Sequence, residues 1–322
     1  MALLQVQDLE VSYRTMKGEL KAVQGVSFDL NEQETLGVVG ESGCGKSTLG
    51  LALLNLMPPQ GRVTRGKIVL DGEDVLTLDK EHLRRVRGKT VSMIFQDPMT
   101  SLNPVKKIGD HFVEVIRAHD PGVPRAEAME RAGKILQQLG MPSDRLSAYP
   151  HQLSGGMKQR IMIGLSLALD PKLLIADEPT TSLDVVIEAQ ILDLLHQLKG
   201  SLKLSMILIT HNLGIVAEVA DKIAIMYGGE IFELAGARAI FRKPLFPYTQ
   251  LLLKLVPNVA SDSTSLEWIP GSPPDLSTPI VGCKFAARCP SVMDRCRAER
   301  PTQKEVEPGH RVACHLYDGG GK

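Results

Sequence analysis

Four short apolar runs mark the chain: Thr35 to Val39 (TLGVV), Val91 to Phe95 (VSMIF), Leu173 to Ala176 (LLIA) and Met206 to Thr210 (MILIT). Each predicts a strand covered on both faces, as in a sheet flanked by helices. Elsewhere the spacing of apolar residues is helical. Met129, Ala132, Ile135/Leu136 and Leu139 share one face, closed by Gly140, a residue suited to the left-handed turn after a helix. Val186, Ile191, Leu194/Leu195 and Leu198 repeat that period. Ile223 to Tyr227 and Ile231 to Leu234 flank Gly228-Gly229, which predicts a hairpin. Strands alternating with amphipathic helices predict a layered α/β domain over residues 1–240.

Beyond about residue 240 this pattern stops. Ten of the twenty prolines lie between Pro244 and Pro308, and four of the five cysteines lie between Cys283 and Cys314. Proline at that density excludes long helices and central strands. Residues 241–322 therefore read as a loop-rich extension that needs something other than a large apolar core to hold it.

Composition narrows the function. The 322 residues are 43% hydrophobic and 23% charged, which excludes wholesale disorder. Thirty-seven basic residues balance thirty-seven acidic ones, so the basic excess of a phosphate-neutralising nucleic-acid binder is missing. The one basic cluster, His82 to Lys89 (HLRRVRGK), reads as a solvated helix face. No apolar stretch is long enough to cross a bilayer. The segment MALLQVQDLE meets acids at once and lacks the basic start of a signal peptide, so a cytosolic chain is expected, with any membrane role exerted through partners.

Gly40-Glu41-Ser42-Gly43-Cys44-Gly45-Lys46-Ser47-Thr48 fits G-x-x-x-x-G-K-[ST] between a predicted strand and a predicted helix. Glycines let successive N–H groups converge on phosphate oxygens, and the helix adds its positive N-terminal end. Lys46 is expected to reach the β/γ-phosphates and Ser47 to hold Mg²⁺. Cys44 reads as a small filler inside the loop rather than a redox group. The LLIA strand ends in Asp177-Glu178. Side chains alternate along a strand, but a turn at its end lets both carboxylates face one site. Asp177 is expected to hold Mg²⁺, and Glu178 to polarise the attacking water.

Leu153-Ser154-Gly155-Gly156-Met157-Lys158-Gln159-Arg160 opens a helical pattern through Ile161, Leu165 and Leu169, with Ser154 as its cap. At this segment the sequence resembles the ATP-binding-cassette family, whose hallmark is LSGGQ; Met157 stands in the last position. The resemblance runs over roughly residues 3–245 and implies a P-loop NTPase fold with a RecA-like core, an antiparallel β-subdomain and a helical subdomain near 97–165. It implies that Ser154, Gly155 and Gly156 grip the γ-phosphate of ATP bound to a facing cassette, so the protein should act as a dimer. It implies that Gln96 contacts Mg²⁺ and the attacking water, that His211 contacts the γ-phosphate, and that Tyr13 stacks on adenine. Ser182-Leu183-Asp184 resembles the loop that signals across the dimer.

In the extension, Pro247-Tyr248-Thr249-Gln250-Leu251-Leu252 and the segment from Gly282-Cys283 to Cys314-His315 resemble the C-terminal region of dipeptide/oligopeptide importer ATPase subunits. Phe246 stands where that family usually has His. The spacing C-x5-C-x6-C-x17-C favours a metal over disulfides in a reducing compartment, yet matches neither zinc ribbons nor the compact ferredoxin run. On spacing alone the metal stays open, with His310 and His315 as alternative ligands. The resemblance implies a [4Fe–4S] cluster on Cys283, Cys289, Cys296 and Cys314, with zinc as the alternative.

Together these readings predict the ATPase subunit of a peptide importer, peripheral on the cytoplasmic face of the plasma (inner) membrane. Its expected partners are a second, paralogous cassette, two transmembrane permease subunits and, indirectly, a substrate-binding protein. Nucleic acid is not expected. Nickel chelates or oligosaccharides are the alternative cargo, and a soluble non-transport cassette ATPase is the remaining rival.

Overall fold

The computed structural model describes residues 2–16, 18–96, 101–181, 183–255 and 269–319. Ser182 and the start of the predicted helical subdomain at 97 lie outside the described residues. The chain divides into two compact units, one formed by residues 1–76 with 208–322 and the other by residues 77–207.

The first unit holds two sheets. Two long strands, Ala2–Thr15 and Gly18–Asn31, pair antiparallel, and Gly61–Leu70 joins the other edge of the first. In this register Tyr13 stands opposite Leu20 on one side and Gly61 on the other. The second sheet places Thr35–Val39 parallel to Lys222–Tyr227, both with buried strand residues, as their unbroken apolar runs predict. Asp221 and Thr35 fix that pairing: the Thr35 N–H donates to the Asp221 carboxylate at 2.8 Å, and the Asp221 N–H to the Thr35 carbonyl at 2.9 Å. Lys222–Tyr227 then turns back through Gly228 and Gly229, at φ 54° and 85°, into Glu230–Gly236. Positive φ at both turn residues is the two-residue hairpin geometry that a Gly-Gly pair permits.

The extension is built into this same sheet. Strands His310–Ala313 and Gln303–Glu307 add to Glu230–Gly236 in antiparallel order. An aromatic cluster of Tyr227, Phe232, Phe246, Tyr248 and Phe285 sits behind it, each ring at most 1% exposed. Rings meet at centroid distances of 4.6 to 6.3 Å in edge-on, tilted and stacked pairs. Burial of one such ring contributes about 1.5–3 kcal/mol. The expectation that this proline-rich segment lacks an apolar core is thus corrected: helix Pro247–Lys254 and Phe285 supply one. At its centre the carboxylate of Glu233, wholly buried, accepts from the N–H groups of Leu245 and Phe246, from the Thr249 hydroxyl, and pairs with His310 at 2.7 Å.

The second unit packs helices around a parallel pair of strands, Val91–Ile94 and Leu173–Asp177. Helix Lys80–Lys89 is capped by Asp79, whose carboxylate accepts from the N–H groups of Glu81 and His82, and it buries only Leu83 and Val86. His82, Arg84, Arg85 and Lys89 are solvated, as the cluster predicts, while Arg87 is half-buried. Helices Ile108–His119 and Arg125–Gln138 bury Ile108, Phe112, Ile116, Ala132 and Leu136. Gly140 follows at φ 68°, the left-handed turn expected of it. Helix Gly155–Leu167 reaches them closely because Gly164 lacks a side chain: a Cβ there would lie 2.8 Å from Leu139 and 3.1 Å from Phe112. Helix Val185–Leu202 buries Ile191, Leu194, Leu195 and Leu198 of the predicted stripe but leaves Val186, its first member, exposed. Strand Ser205–Thr210 runs across the boundary between the units.

Candidate nucleotide site

The loop from Gly40 to Thr48 joins strand Thr35–Val39 to helix Lys46–Leu53. Its bends need glycine. Gly45 has φ 102°, and a Cβ there would stand 2.3 Å from the Ala22 carbonyl oxygen; at Gly40 it would stand 2.0 Å from that of Met226. Ser42, Gly43 and Ser47 are exposed, while Lys46 is 5% exposed. The Lys46 ammonium donates to the carbonyls of Gly40 at 2.7 Å and Glu41 at 3.0 Å, which keeps its charge inside the loop. Cys44 points into the core, where burial raises its thiol pKa. That fits the filler reading. The Cys44 carbonyl accepts from the Gly229 N–H at 2.9 Å, tying the loop to the Gly-Gly turn.

Tyr13 and Thr48 meet in the same unit, hydroxyl to hydroxyl at 3.2 Å. The Tyr13 ring lies over Gly61, where a Cβ would come within 2.8 Å of it. An aromatic face is therefore held beside the loop that the sequence predicts for phosphate. His211, also in this unit, is exposed one residue beyond strand Ser205–Thr210. Asn212 caps the following helix by accepting from the Gly214 N–H at 2.9 Å.

In the second unit the acidic pair ends strand Leu173–Asp177. Asp177 is 4% exposed. Glu178 takes φ 45°, the turn that the sequence reading required at the strand end. Its Oε2 accepts from Gln96 Nε2 at 3.0 Å and from the Thr181 hydroxyl at 2.9 Å. Gln96 and Glu178, 82 residues apart, are thus brought together. Thr181 escaped the sequence reading; its position three residues after Glu178 was the available signal.

Ser154 caps helix Gly155–Leu167 by accepting from the Met157 N–H at 3.3 Å, and Asp184 caps helix Val185–Leu202 by accepting from the Ile187 N–H at 2.9 Å. The two helix starts touch: a Cβ at Gly156 would lie 2.8 Å from Ile187, and one at Gly155 3.7 Å from Leu183. Ser154, Gly155 and Asp184 are exposed, as are Val185 (78%) and Val186 (66%), an apolar pair left facing outward.

The four tail cysteines are neighbours without disulfides. Burial, with a smaller contribution from nearby cysteines, pushes the Cys283 thiol up to about 12 and Cys314 up to about 11. Backbone N–H groups oppose this at three of the sulfurs: Phe285 at Cys283, Ser291 at Cys289 and Leu316 at Cys314, each two residues on. Among the described residues, no three His, Cys, Asp or Glu side chains are grouped so as to hold one metal ion. The alternative ligands are committed elsewhere. His310 Nε2 pairs with Glu233; His315 bonds Asp318 through Nδ1 and the Glu299 carbonyl through Nε2.

Residues 23–181 match the family model described as ABC transporter, and residues 232–296 match that described as oligopeptide/dipeptide transporter, C-terminal region. The dipeptide transport ATP-binding protein of Bacillus subtilis (strain 168) is 46% identical over 319 residues, covering 98% of this chain and 95% of that protein. The chain belongs to the ABC transporter ATP-binding family. The oligopeptide transport ATP-binding protein of Salmonella typhimurium is 44% identical, covering 97% of this chain and 93% of its own length. A dimeric ATP-binding cassette bound to ADP and Pi shares the fold at TM-score 0.65 and 24% identity, over 73% of this chain and 99% of that one. An ABC transporter component from Clostridium perfringens gives 0.64 at 25% identity, over 75% and 91%. As a member of this family the chain is an ATPase with a P-loop NTPase fold, using ATP and Mg²⁺. No helix among the described residues is long and apolar enough to cross a membrane.

Proposed function

We propose that the chain powers the import of di- and oligopeptides through a membrane transporter. The observation that carries this reading is the tail: the peptide-transporter C-terminal region at 232–296, in a chain 41–46% identical over nearly its whole length to dipeptide and oligopeptide transport ATP-binding proteins. In this reading the backbone of Gly40, Ser42, Gly43, Cys44 and Gly45 cradles the phosphates, Lys46 and Thr48 hold them, and Tyr13 stacks on adenine. Ser47, Asp177 and Gln96 serve Mg²⁺, Glu178 draws a proton from the attacking water, and His211 contacts the γ-phosphate. Ser154, Gly155 and Gly156 bind the ATP of a second cassette, and Asp184 carries the signal between the two.

The exposed Ser154, Gly155, Val185 and Val186 support a partner on that face. The partner cassette is a paralogue, and the pair sits on two permease subunits at the cytoplasmic face of the plasma (inner) membrane, fed by a substrate-binding protein. Loss of the γ-phosphate removes the bridge that stabilises the closed pair, which then reopens. Affinity capture of the tagged chain from detergent-solubilised membranes is expected to bring down two integral membrane subunits and a second cassette, and the assembly should take up peptides. Recovery of the chain alone in the soluble fraction, or uptake of nickel chelates or oligosaccharides instead of peptides, contradicts this reading.

Cys283, Cys289, Cys296 and Cys314 hold a [4Fe–4S] cluster in the same proposal. Zinc draws its thiolates to about 3.8 Å of one another, given Zn–S near 2.3 Å. A cluster gives each sulfur its own iron, and Cys289, Cys296 and Cys314 lie near enough to Cys283 to raise its pKa. The N–H donors at Cys283, Cys289 and Cys314 suit thiolate ligands. Bound there, the cluster cross-links the segment that carries the cysteines. Anaerobically purified protein is expected to contain iron and acid-labile sulfide near four of each per chain. Stoichiometric zinc, or neither element, contradicts the assignment.

A further inference from the structure

The second residue of the phosphate loop is an acid. Glu41 sits one position past Gly40, and its own carbonyl accepts from the Lys46 ammonium at 3.0 Å. A carboxylate here opposes a polyphosphate, since like charges several ångströms apart repel strongly where water is partly excluded. The loop does not leave it alone. Arg288, 247 positions away in the extension, grips both carboxylate oxygens, Nη1 to Oε2 at 2.7 Å and Nη2 to Oε1 at 2.9 Å. The guanidinium side chain is 5% exposed and that of Glu41 24%. Every direction of the fork is used: Nη1 also donates to the Tyr227 hydroxyl at 3.2 Å, Nη2 to the Ile269 carbonyl at 3.1 Å and Nε to the Pro270 carbonyl at 2.8 Å. The group lies 5.9 Å from the Tyr227 ring centre. Beside it, the Tyr248 hydroxyl accepts from the Glu41 N–H at 3.0 Å.

We propose that Arg288 is the built-in counter-charge of the phosphate loop, neutralising Glu41 so that the loop accepts a triphosphate. Arg288 is a positioning residue: it acts on nucleotide through Glu41. Bidentate pairing fixes the carboxylate as well as its charge, which a lysine cannot reproduce. The extension then serves the ATP site directly, whatever group its cysteines carry.

Calorimetric titration of the full-length chain with MgATP tests this. Arg288→Ala is expected to weaken binding about tenfold, and Arg288→Lys by a smaller factor. Adding Glu41→Gln to Arg288→Ala should restore most of the lost affinity, because the charge that needed masking is gone. A prop for the tail would show no such rescue. Unchanged affinity in folded Arg288→Ala, or a double variant as weak as the single one, overturns the proposal. Should Arg288→Ala fail to fold, the neutral, polar Arg288→Gln decides by the same pair of titrations: weaker MgATP binding that Glu41→Gln restores upholds the proposal, and unchanged binding or no restoration overturns it.

Discussion

Glu178→Gln is expected to keep ATP binding and lose turnover by about 10²–10⁴, the range a placed general base contributes. The substitution is nearly isosteric. Gln96 and Thr181 both donate to Oε2 of Glu178, so the side chain is aimed before any nucleotide arrives. An amide can still accept one of those bonds, and the unusual backbone at φ 45° is asked of a residue of the same shape. What disappears is the basic oxygen. Without it the attacking water keeps its proton, while ATP contacts made by the loop around Lys46 are untouched. Turnover of the assembled complex, measured beside equilibrium ATP binding, separates the two effects. Turnover within about twofold of the unaltered complex would remove Glu178 as the base, because a placed base cannot be worth so little.

Much of this was legible because the signals are local. TLGVV, LLIA and MILIT could only be strands buried on both faces, and they are. The phosphate loop declares itself within nine residues, since glycines, lysine and hydroxyl must lie in that order for backbone and side chains to reach one anion. Ser154 reads as a helix cap from its place alone, and it is one. What stayed hidden depends on distance along the chain. Arg288 and Glu41 are each ordinary surface charges in sequence; their pairing spans 247 positions. Phe232, Phe246, Tyr248 and Phe285 are scattered among prolines, and nothing local says that they stack into one core. For that reason the tail reads as coreless when it is not. The commitment of His310 to Glu233, 77 positions away, was hidden for the same reason, and with it the fact that this histidine has a partner other than metal.

The signature segment bears on the claim that ATP is shared between two chains. Gly155 is exposed, and a Cβ there meets only Leu183 at 3.7 Å, an ordinary contact. Gly156, by contrast, has no room beside Ile187. An acidic residue at the first turn of helix Gly155–Leu167 also favours the helix itself. Gly155→Asp should therefore fold, melt at the same temperature or slightly above, and bind ATP normally as an isolated chain. Its new charge would face the γ-phosphate of the neighbouring cassette. Repulsion there should cost at least about 10²-fold in turnover, a few kcal/mol of lost transition-state stabilisation. The decisive measurement is ATP-driven uptake by the reconstituted complex with this glycine, and its counterpart in the other cassette, changed to aspartate. Uptake lost while each separate chain still binds MgATP is the expected outcome; full uptake would mean that each cassette completes its own site and that no nucleotide is shared.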